Sequence, residues 1–370
     1  APCGWSCAAV KKRLHSAPPA RSRSHLPLPQ VAEPPIVEHC LLATSLHVYF
    51  ADSLETFADD LRRARPTVFF SVPRLWVKFQ QGVLAKMPAQ KLDRLLSIPI
   101  VNRVIRKKVL GALGLDKCQF AAGGAAPMPP DLLDWYARLG LNVIEVYGMT
   151  ENCGVSHSTL PGKERPGTVG YPYEGVQSRL DPDTDEIQVK NPGNMLGYYK
   201  EPELSAAAFI NGDWLRTGDQ GEIDPQGRLR ITGRLKEIFK TGKGKYVAPA
   251  PIEDKLVMHT AVEACCVTGA NLGQPLALVM LNMDAARRAI DAAERAALEA
   301  SLATHLESIN ALLDPHERLD CLVVVSQPWT VESGLITPTF KVRRNRIEDV
   351  YATHYERWVV ERRKVVWHEA

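Results

Sequence analysis

Two short segments carry side chains that could bind a nucleotide. Tyr147-Gly148-Met149-Thr150-Glu151 places an aromatic ring, a hydroxyl and a carboxylate directly after an apolar stretch. The ring offers a face for a base, the hydroxyl can bond a phosphate oxygen, and the carboxylate is a hard oxygen ligand of the kind Mg²⁺ prefers. Farther along, Thr217-Gly218-Asp219 ends in an acid that can accept hydrogen bonds from both ribose hydroxyls. Either segment alone is also compatible with a structural turn.

Three other features could contribute to the same chemistry. A strand-like run ends in Gly123-Gly124-Ala125, where two residues without Cβ let a planar group approach the backbone, although a plain tight turn fits as well. Residues 233–249 are basic and rich in glycine, which suits a phosphate-gripping loop or a charged β-hairpin. Near the end of the chain, Lys341 could bring one concentrated positive charge to a phosphoryl anion, or it could be an ordinary surface lysine.

The composition limits the class of protein. The chain has 370 residues, 45% hydrophobic and 24% charged, which predicts a globular protein of two or three domains. A net charge of +3 gives no support for a nucleic-acid partner, and no apolar run is long enough to predict a membrane span. The eight cysteines form no Cys-x-x-Cys pair, and the ten histidines show no metal-ligand spacing. We expect free thiols in a reducing compartment and no structural zinc.

Hydrophobic patterns place these features on two kinds of architecture. Helices are predicted over residues 54–64 and 132–139, and buried strands over 67–72 and 143–147, which together indicate a parallel sheet covered by helices. Between residues 167 and 231, short alternating stretches separated by turns predict a small antiparallel β-subdomain. The remainder predicts a smaller α+β domain with strands at 264–267 and 276–281. Its long helix has apolar residues at helical spacing: Leu298, Leu302, Leu306, Ile309 and Leu313.

The first 25 residues differ from the rest of the chain. Lys11, Lys12 and Arg13 face no acid in this stretch, and Pro18-Pro19 interrupts it. We expect residues 1–25 to be disordered, with order beginning near His25. A mitochondrial presequence is a weaker alternative, because the two prolines would break the amphipathic helix it requires.

The order of these motifs resembles one enzyme family. From about residue 26 to the end, the chain is similar to the long-chain acyl-CoA synthetases of the AMP-forming, adenylate-forming superfamily. The similarity is strongest at residues 197–219 and 233–253. The implied fold class is α/β with α+β: the remainder of a large AMP-binding N-terminal domain at 26–232, including a β-subdomain at about 167–232, then a hinge at 233–236 and a mobile C-terminal lid domain at 237–370.

The resemblance also implies a reaction and roles for particular residues. A fatty carboxylate would attack the α-phosphate of Mg·ATP, and coenzyme A would then displace AMP. Lys341, Thr150 and Glu151 would be catalytic, with Glu151 holding Mg²⁺ and Lys236 at the hinge. The nucleotide would contact Gly123, Gly124, Ala125, Tyr147, Gly148, Thr150, Asp219 and Arg234. Coenzyme A would face Lys240, Gly242, Lys243, Gly244 and Lys245.

One family element is missing from this sequence. The Ser/Thr/Gly-rich loop that cradles the β- and γ-phosphates has no counterpart here, so we expect an N-terminally incomplete protein whose adenylation from ATP is impaired. Two alternatives stay open: a catalytically dead nucleotide-binding fragment, or a ligase for another carboxylic acid. A complementing N-terminal fragment or a homodimer is also left open. We expect a cytoplasmic protein without a membrane span, with peripheral membrane contact left open.

Overall fold

The computed structural model describes most of the chain. It covers residues 2–14, 20–25, 41, 46–53, 56–125, 128–160, 162–163, 165–337 and 341–368. The expected start of order after His25, the first two residues of the helix predicted at 54–64, and residues 338–340 before Lys341 lie outside these ranges. The chain divides into two compact units, Ala1–Ile231 and Thr232–Ala370. Within the described residues, no helix has the length and apolar character needed to cross a bilayer.

The first unit is built around a sheet that begins with three parallel strands. β3 (Val68–Ser71), β4 (Phe120–Gly124) and β5 (Val143–Tyr147) pair in that order, and the antiparallel strands β6 (His157–Ser158) and β7 (Tyr171–Pro172) continue the sheet. Its helices are α2 (Phe57–Ala64), α3 (Pro73–Lys86), α4 (Ala89–Leu96), α5 (Val101–Leu113) and α6 (Pro130–Arg138). The predicted parallel sheet with helices is therefore confirmed. Its short apolar strands are almost entirely buried, as is usual for parallel sheets.

A second sheet in this unit is antiparallel. Its strand order is β10-β11-β9-β8, and a further strand, β12, pairs with β11. The strands are β8 (Gln177–Leu180), β9 (Glu186–Lys190), β10 (Phe209–Ile210), β11 (Trp214–Ile223) and β12 (Leu229–Arg234), with α7 (Pro202–Ala207) between β9 and β10. β11 shows the predicted alternation of buried and exposed residues. The central strand β9 does not, because Glu186 and Gln188 are buried along with Ile187 and Val189. Ile187, Val189 and Leu215 are fully buried in this layer.

The described residues of the N-terminal segment, 2–14 and 20–25, contain regular elements, whereas the sequence predicts disorder over residues 1–25. Residues Pro2–Leu14 form α1, and β1 (Arg21–Ser24) pairs in parallel with β2 (His47–Phe50). Trp5 and Val10 of α1 pack against a buried cluster of the first unit. The basic run that suggested disorder occupies the last helical turn, where positive charge is favourable to the helix dipole.

The second unit has a four-stranded mixed sheet with a core on each face. The strand order is β15 (Val262–Thr268), β16 (Leu276–Leu281), β17 (Leu322–Val325) and β18 (Val365–His368). A hairpin of β13 (Phe239–Lys240) and β14 (Tyr246–Val247) precedes it. The helices are α8 (Pro249–Leu256), α9 (Met283–Arg288), α10 (Ala292–Asn310), α11 (Arg344–Tyr351) and α12 (Tyr355–Val360). The apolar residues predicted on one face of the long helix all contribute to a single core cluster.

Truncation of Leu302 tests this packing. The side chain is fully buried in α10, so Leu302→Ala should lower the free energy of unfolding of the second unit by about 2–5 kcal/mol through lost burial and a residual cavity. Leu312, which is 75% exposed, provides the control, and Leu312→Ala should change stability by less than about 0.5 kcal/mol. Urea unfolding followed by tryptophan fluorescence measures both. Equal losses in the two variants would contradict this packing.

Candidate functional site

Two adjacent glycines end β4 and leave no room for side chains. A Cβ on Gly123 would lie 2.8 Å from the Met128 sulfur, and one on Gly124 would lie 2.8 Å from a methyl carbon of Val146 on the neighbouring strand. The next residue, Ala125, has a φ of 70° and so turns the chain sharply. Gly123, Gly124 and Ala125 therefore form a close backbone turn at the carboxyl end of a parallel strand. That end of a sheet is where ligands bind in open α/β folds.

The end of β5 is joined to the antiparallel sheet by a buried hydrogen bond. Tyr147 Oη donates to Oδ2 of Asp219 at 2.8 Å, and the two residues are 7% and 8% exposed. The backbone amide of Asp219 donates to Thr217 Oγ1, which in turn donates to the Ile187 carbonyl at 2.7 Å. The aspartate is thereby held in place on β11. Sequence reasoning proposed both residues from separate motifs, and the structure brings them into contact.

Gly148 lets the chain turn directly after β5. A Cβ there would lie 2.3 Å from the carbonyl carbon of Gly154, so no larger residue fits without moving the backbone. The following residues Thr150–Asn152 form one 3₁₀ turn, with Thr150 exposed and Glu151 half-buried. Glu151 Oε1 accepts a hydrogen bond of 2.9 Å from Tyr198 Oη. Burial and this carboxylate raise the pKa of Tyr198 to about 12, so Tyr198 remains a neutral donor to Glu151 at neutral pH.

Glu145 is a buried carboxyl group beside this turn that sequence reasoning missed. It is 4% exposed on β5, and its Oε1 accepts a hydrogen bond of 3.1 Å from the Met128 amide. Its Oε2 is buried without a hydrogen-bond partner among the described residues. Burial raises the pKa of Glu145 to about 7, and the Met128 hydrogen bond offsets only part of that effect. The sequence does contain a signal for this buried carboxyl group, because Glu145 interrupts the apolar run Val143-Ile144-Glu145-Val146.

The predicted site residues between Arg234 and Lys245 are exposed and lie at two places. Arg234 ends β12, and Lys236 follows in an exposed turn. The β13–β14 hairpin presents an exposed basic tip with four of the five residues predicted to face coenzyme A: Gly242, Lys243, Gly244 and Lys245. Lys240, the fifth, is exposed on β13 with its ammonium 5.6 Å from the centre of the Tyr246 ring. Gly242 is required at the tip, because a Cβ there would lie 2.6 Å from the Asn271 carbonyl oxygen.

Lys341 is positioned by contacts of its backbone with Thr337 and by a β-bridge of the residue that follows it. The Thr337 amide donates to the Lys341 carbonyl at 2.8 Å, the Lys341 amide donates to Thr337 Oγ1 at 3.0 Å, and Ile336 forms a β-bridge with Val342. These contacts fix the position of the Lys341 backbone, while the side chain is exposed. A single positive charge on a fixed backbone suits the role predicted for Lys341, which is to stabilise negative charge on a phosphoryl group.

A buried ion network anchors the helix that follows Lys341. Arg344 Nη2 lies 2.8 Å from Oε1 of Glu253 and 3.4 Å from Oε2 of Glu237, and Nη1 donates to the Val267 carbonyl. Burial opposes the charge of Arg344, but attraction to Glu253 and Glu237 outweighs it and raises the arginine pKa. The network connects the start of α11 with α8, with β15 and with the turn after Lys236.

Removal of Arg344 should therefore destabilise the second unit. Arg344→Met leaves two largely buried carboxylates without their partner, and breaking a buried pair in this way costs about 3–5 kcal/mol. The nearby Arg346 pairs with Asp349 at the surface, with both side chains about two-thirds exposed, so Arg346→Met should cost at most about 1 kcal/mol. Denaturant unfolding compares the two variants. A loss below 1 kcal/mol for Arg344→Met would contradict the assigned role.

Glu145 predicts a pH dependence of stability. Its pKa is about 7 in the folded chain against 4.5 in the unfolded chain, so between these values the folded state holds more protons and its stability falls as pH rises. A difference of this size corresponds to about 3 kcal/mol. The free energy of unfolding of Glu145→Gln, relative to that of the wild type, should therefore be higher above pH 7 than below pH 4.5, by up to about 3 kcal/mol. A difference between the two proteins that does not change with pH would contradict the assigned pKa.

The chain is similar in sequence to known proteins. A model of the AMP-binding enzyme family matches residues 9–199. The peroxisomal long chain acyl-CoA synthetase 6 of Arabidopsis thaliana is 30% identical over 82% of this chain and 50% of that protein. Long-chain-fatty-acid–CoA ligase 5 of Mus musculus is 30% identical over 89% of this chain and 54% of that protein. The chain thus spans about half the length of these curated relatives.

Solved structures show the same fold. The adenylation domain of a carboxylate reductase from Mycobacterium chelonae has a TM-score of 0.73 at 24% identity, covering 93% of this chain and 55% of that one. O-succinylbenzoate coenzyme A synthetase from Bacillus subtilis, solved with AMP, has a TM-score of 0.67 at 22% identity, covering 94% and 65%. The predicted partial adenylate-forming fold is confirmed. Since the family model covers more than half of the 370 residues, the chain belongs to the family of AMP-binding enzymes.

Proposed function

We propose that this protein acts as an AMP-forming ligase that activates a long-chain fatty acid with ATP and transfers the acyl group to coenzyme A. The names of its relatives in Arabidopsis thaliana and Mus musculus support this substrate class. The observation that carries the proposal is the buried hydrogen bond between Tyr147 and Asp219 beside the glycine turn of β4. It joins an aromatic ring at the carboxyl end of β5 to a carboxylate on β11, which suits a base and its ribose.

In this proposal the nucleotide lies along the ends of β4 and β5. Gly124 and Ala125 border the adenine in this arrangement, because the backbone turns sharply there, directly after β4. Tyr147 contacts the other side of the base, and Asp219, with Arg234, accepts and donates hydrogen bonds at the ribose. Thr150 is exposed directly after Gly148, and its hydroxyl donates to the α-phosphate.

The oxygen atoms of Thr150 and Glu151 are ligands that suit Mg²⁺. Glu151 supplies a half-buried carboxylate, held by Tyr198, and Thr150 supplies a hydroxyl next to it. In the described part of the chain, no group of three or more acidic, cysteine or histidine side chains could hold a metal by itself. Mg²⁺ usually keeps several waters and binds through one or two carboxylates plus substrate phosphates, so Glu151 would hold it jointly with the nucleotide. The ion would neutralise negative charge on the phosphates.

The proposed reaction has two displacement steps. A carboxylate oxygen of the fatty acid attacks the α-phosphorus, and pyrophosphate leaves. The sulfur of coenzyme A then attacks the acyl carbon, and AMP leaves while the thiol proton is lost to solvent. Lys341 stabilises charge in the first step, and the exposed basic tip at Lys243 and Lys245 faces coenzyme A in the second. Lys236, a little beyond the boundary between the units, is the proposed hinge.

Nucleotide binding provides the first test. Asp219→Asn should weaken the binding of AMP by about 10–100-fold, because hydrogen bonds to a charged group contribute about 1.5–3 kcal/mol. Asp213, six residues earlier on the chain, is 59% exposed and pairs with Lys190, so Asp213→Asn should leave the affinity unchanged. Isothermal titration calorimetry measures both. Equal affinities for Asp219→Asn and the wild type would contradict the proposed site.

Assays of the two half-reactions distinguish a long-chain fatty acid ligase from the two alternatives, a catalytically dead nucleotide-binding protein and a ligase for another acid. The chain is supplied with palmitoyl-adenylate and coenzyme A, and separately with ATP and palmitate in a pyrophosphate-exchange assay. An active ligase forms palmitoyl-CoA in the first assay, and Lys341→Ala lowers pyrophosphate exchange more than thioester formation. AMP binding without thioester from any acyl-adenylate would identify a catalytically dead nucleotide-binding protein. Thioester from benzoyl- or acetyl-adenylate, but not from palmitoyl-adenylate, would identify a ligase for another acid.

A further inference from the structure

A basic and apolar surface lies on the first unit in a part of the chain that the proposed reaction does not use. Residues 97–115 contain Arg103, Arg106, Lys107 and Lys108 and no acidic residue. This stretch comprises the link between α4 and α5 and the whole of α5. Val109 on one side of the helix is buried in the fold. The opposite side faces solvent.

The solvent side forms a continuous strip along α5. Arg103, Val104, Lys107 and Lys108 are all exposed, at positions that differ by one, four and five residues and so lie along one face of the helix. They line a shallow depression of about 660 Å³, together with Gly111 and Asp116. We refer to this strip, with Ile98 and Ile100 at its N-terminal end, as the α5 surface.

The three cations of the α5 surface form no ion pair within the described part of the chain. They are Arg103, Lys107 and Lys108. Asp116 is the acid that lines the depression, and its two carboxylate oxygens accept hydrogen bonds from Nε and Nη2 of Arg65. This pairing lowers the Asp116 pKa. The positive charge of the strip is therefore not neutralised within the fold. It is complementary to a partner that carries many negative charges.

Apolar side chains project beside these cations. Ile100 is 80% exposed, Val104 62% and Ile98 41%. Ile100 also has a φ of 72°, in a tight turn where the Val101 amide donates to the Pro99 carbonyl at 2.9 Å. A β-branched residue strongly disfavours this conformation. The turn holds the Ile100 side chain in water, where it gains no burial, so the conformation brings the isolated chain no packing advantage.

We propose that the α5 surface docks the protein on membranes that contain anionic phospholipids. Lys107, Lys108 and Arg103 contact lipid phosphates in and around the depression. Ile98, Ile100 and Val104 enter the boundary between headgroups and acyl chains, where their apolar surface leaves water. Apolar residues flanked by lysine and arginine are typical of helices that lie in the membrane interface. The argument rests on the charge and exposure of this surface, and it holds whether or not the proposed ligase reaction is correct.

Vesicle sedimentation tests the proposal with the full 370-residue chain. Binding to phosphatidylcholine vesicles should increase strongly when phosphatidylserine is added, and should decrease with salt. Each cation near an anionic surface contributes about a fivefold factor in partitioning, so the triple variant Arg103→Gln, Lys107→Gln and Lys108→Gln should bind about 100-fold more weakly. Ile100→Ser should also bind more weakly at unchanged charge. Circular dichroism confirms that the variants are folded.

A matched triple variant controls for net charge. Arg230, Arg346 and Arg363 are each more than half exposed, and each faces a carboxylate: Glu222, Asp349 and Glu299. Their replacement by Gln removes the same three charges and should leave vesicle binding within about twofold of the wild type. Three results would overturn the proposal: no preference for anionic vesicles, equal losses in the two triple variants, or self-association through α5 without vesicle binding. None of these results depends on nucleotide binding or thioester formation.

Discussion

The hydrogen bond from Tyr147 to Asp219 is the contact on which the first unit's site depends. The tyrosine ends a strand of the parallel sheet, and the aspartate lies on a strand of the antiparallel sheet, so this buried bond joins the two sheets. A second contact between them is the hydrogen bond of 3.1 Å between His157 on β6 and Ser178 on β8. Gly148, which follows Tyr147, and Gly124, on the neighbouring strand β4, are required for this packing. A side chain at either position would collide with its neighbours. The buried Asp219 carboxylate is tolerated here because it accepts a hydrogen bond from the Tyr147 hydroxyl.

In the second unit, the residues predicted to take part in the reaction are arranged differently. Lys341 and the basic hairpin are exposed, whereas the groups that position them are buried. Arg344 holds the start of the helix after Lys341 through Glu253 and Glu237. The buried ion network therefore fixes the backbone close to the exposed Lys341.

Much of this architecture could be predicted from the sequence, and the failures have physical causes. The buried strand Val143–Tyr147 and the apolar face of α10 follow from periodicity, because packing imposes it. The helix Pro2–Leu14 was mistaken for disorder, since its stability comes from tertiary contacts of Trp5 and Val10 that composition does not reveal. The site motifs could be located, but not the pairing of Tyr147 with Asp219, because 72 residues separate them.

The central claim is that Tyr147 and Asp219 lie at the nucleotide site of an AMP-binding enzyme. A crystal structure of this chain with a non-hydrolysable palmitoyl-adenylate analogue tests it most directly. The account predicts electron density for adenine against the Tyr147 ring and beside Gly124, with the ribose hydroxyls within hydrogen-bond distance of the Asp219 carboxylate. An analogue bound elsewhere, with the Tyr147–Asp219 region empty, would contradict it.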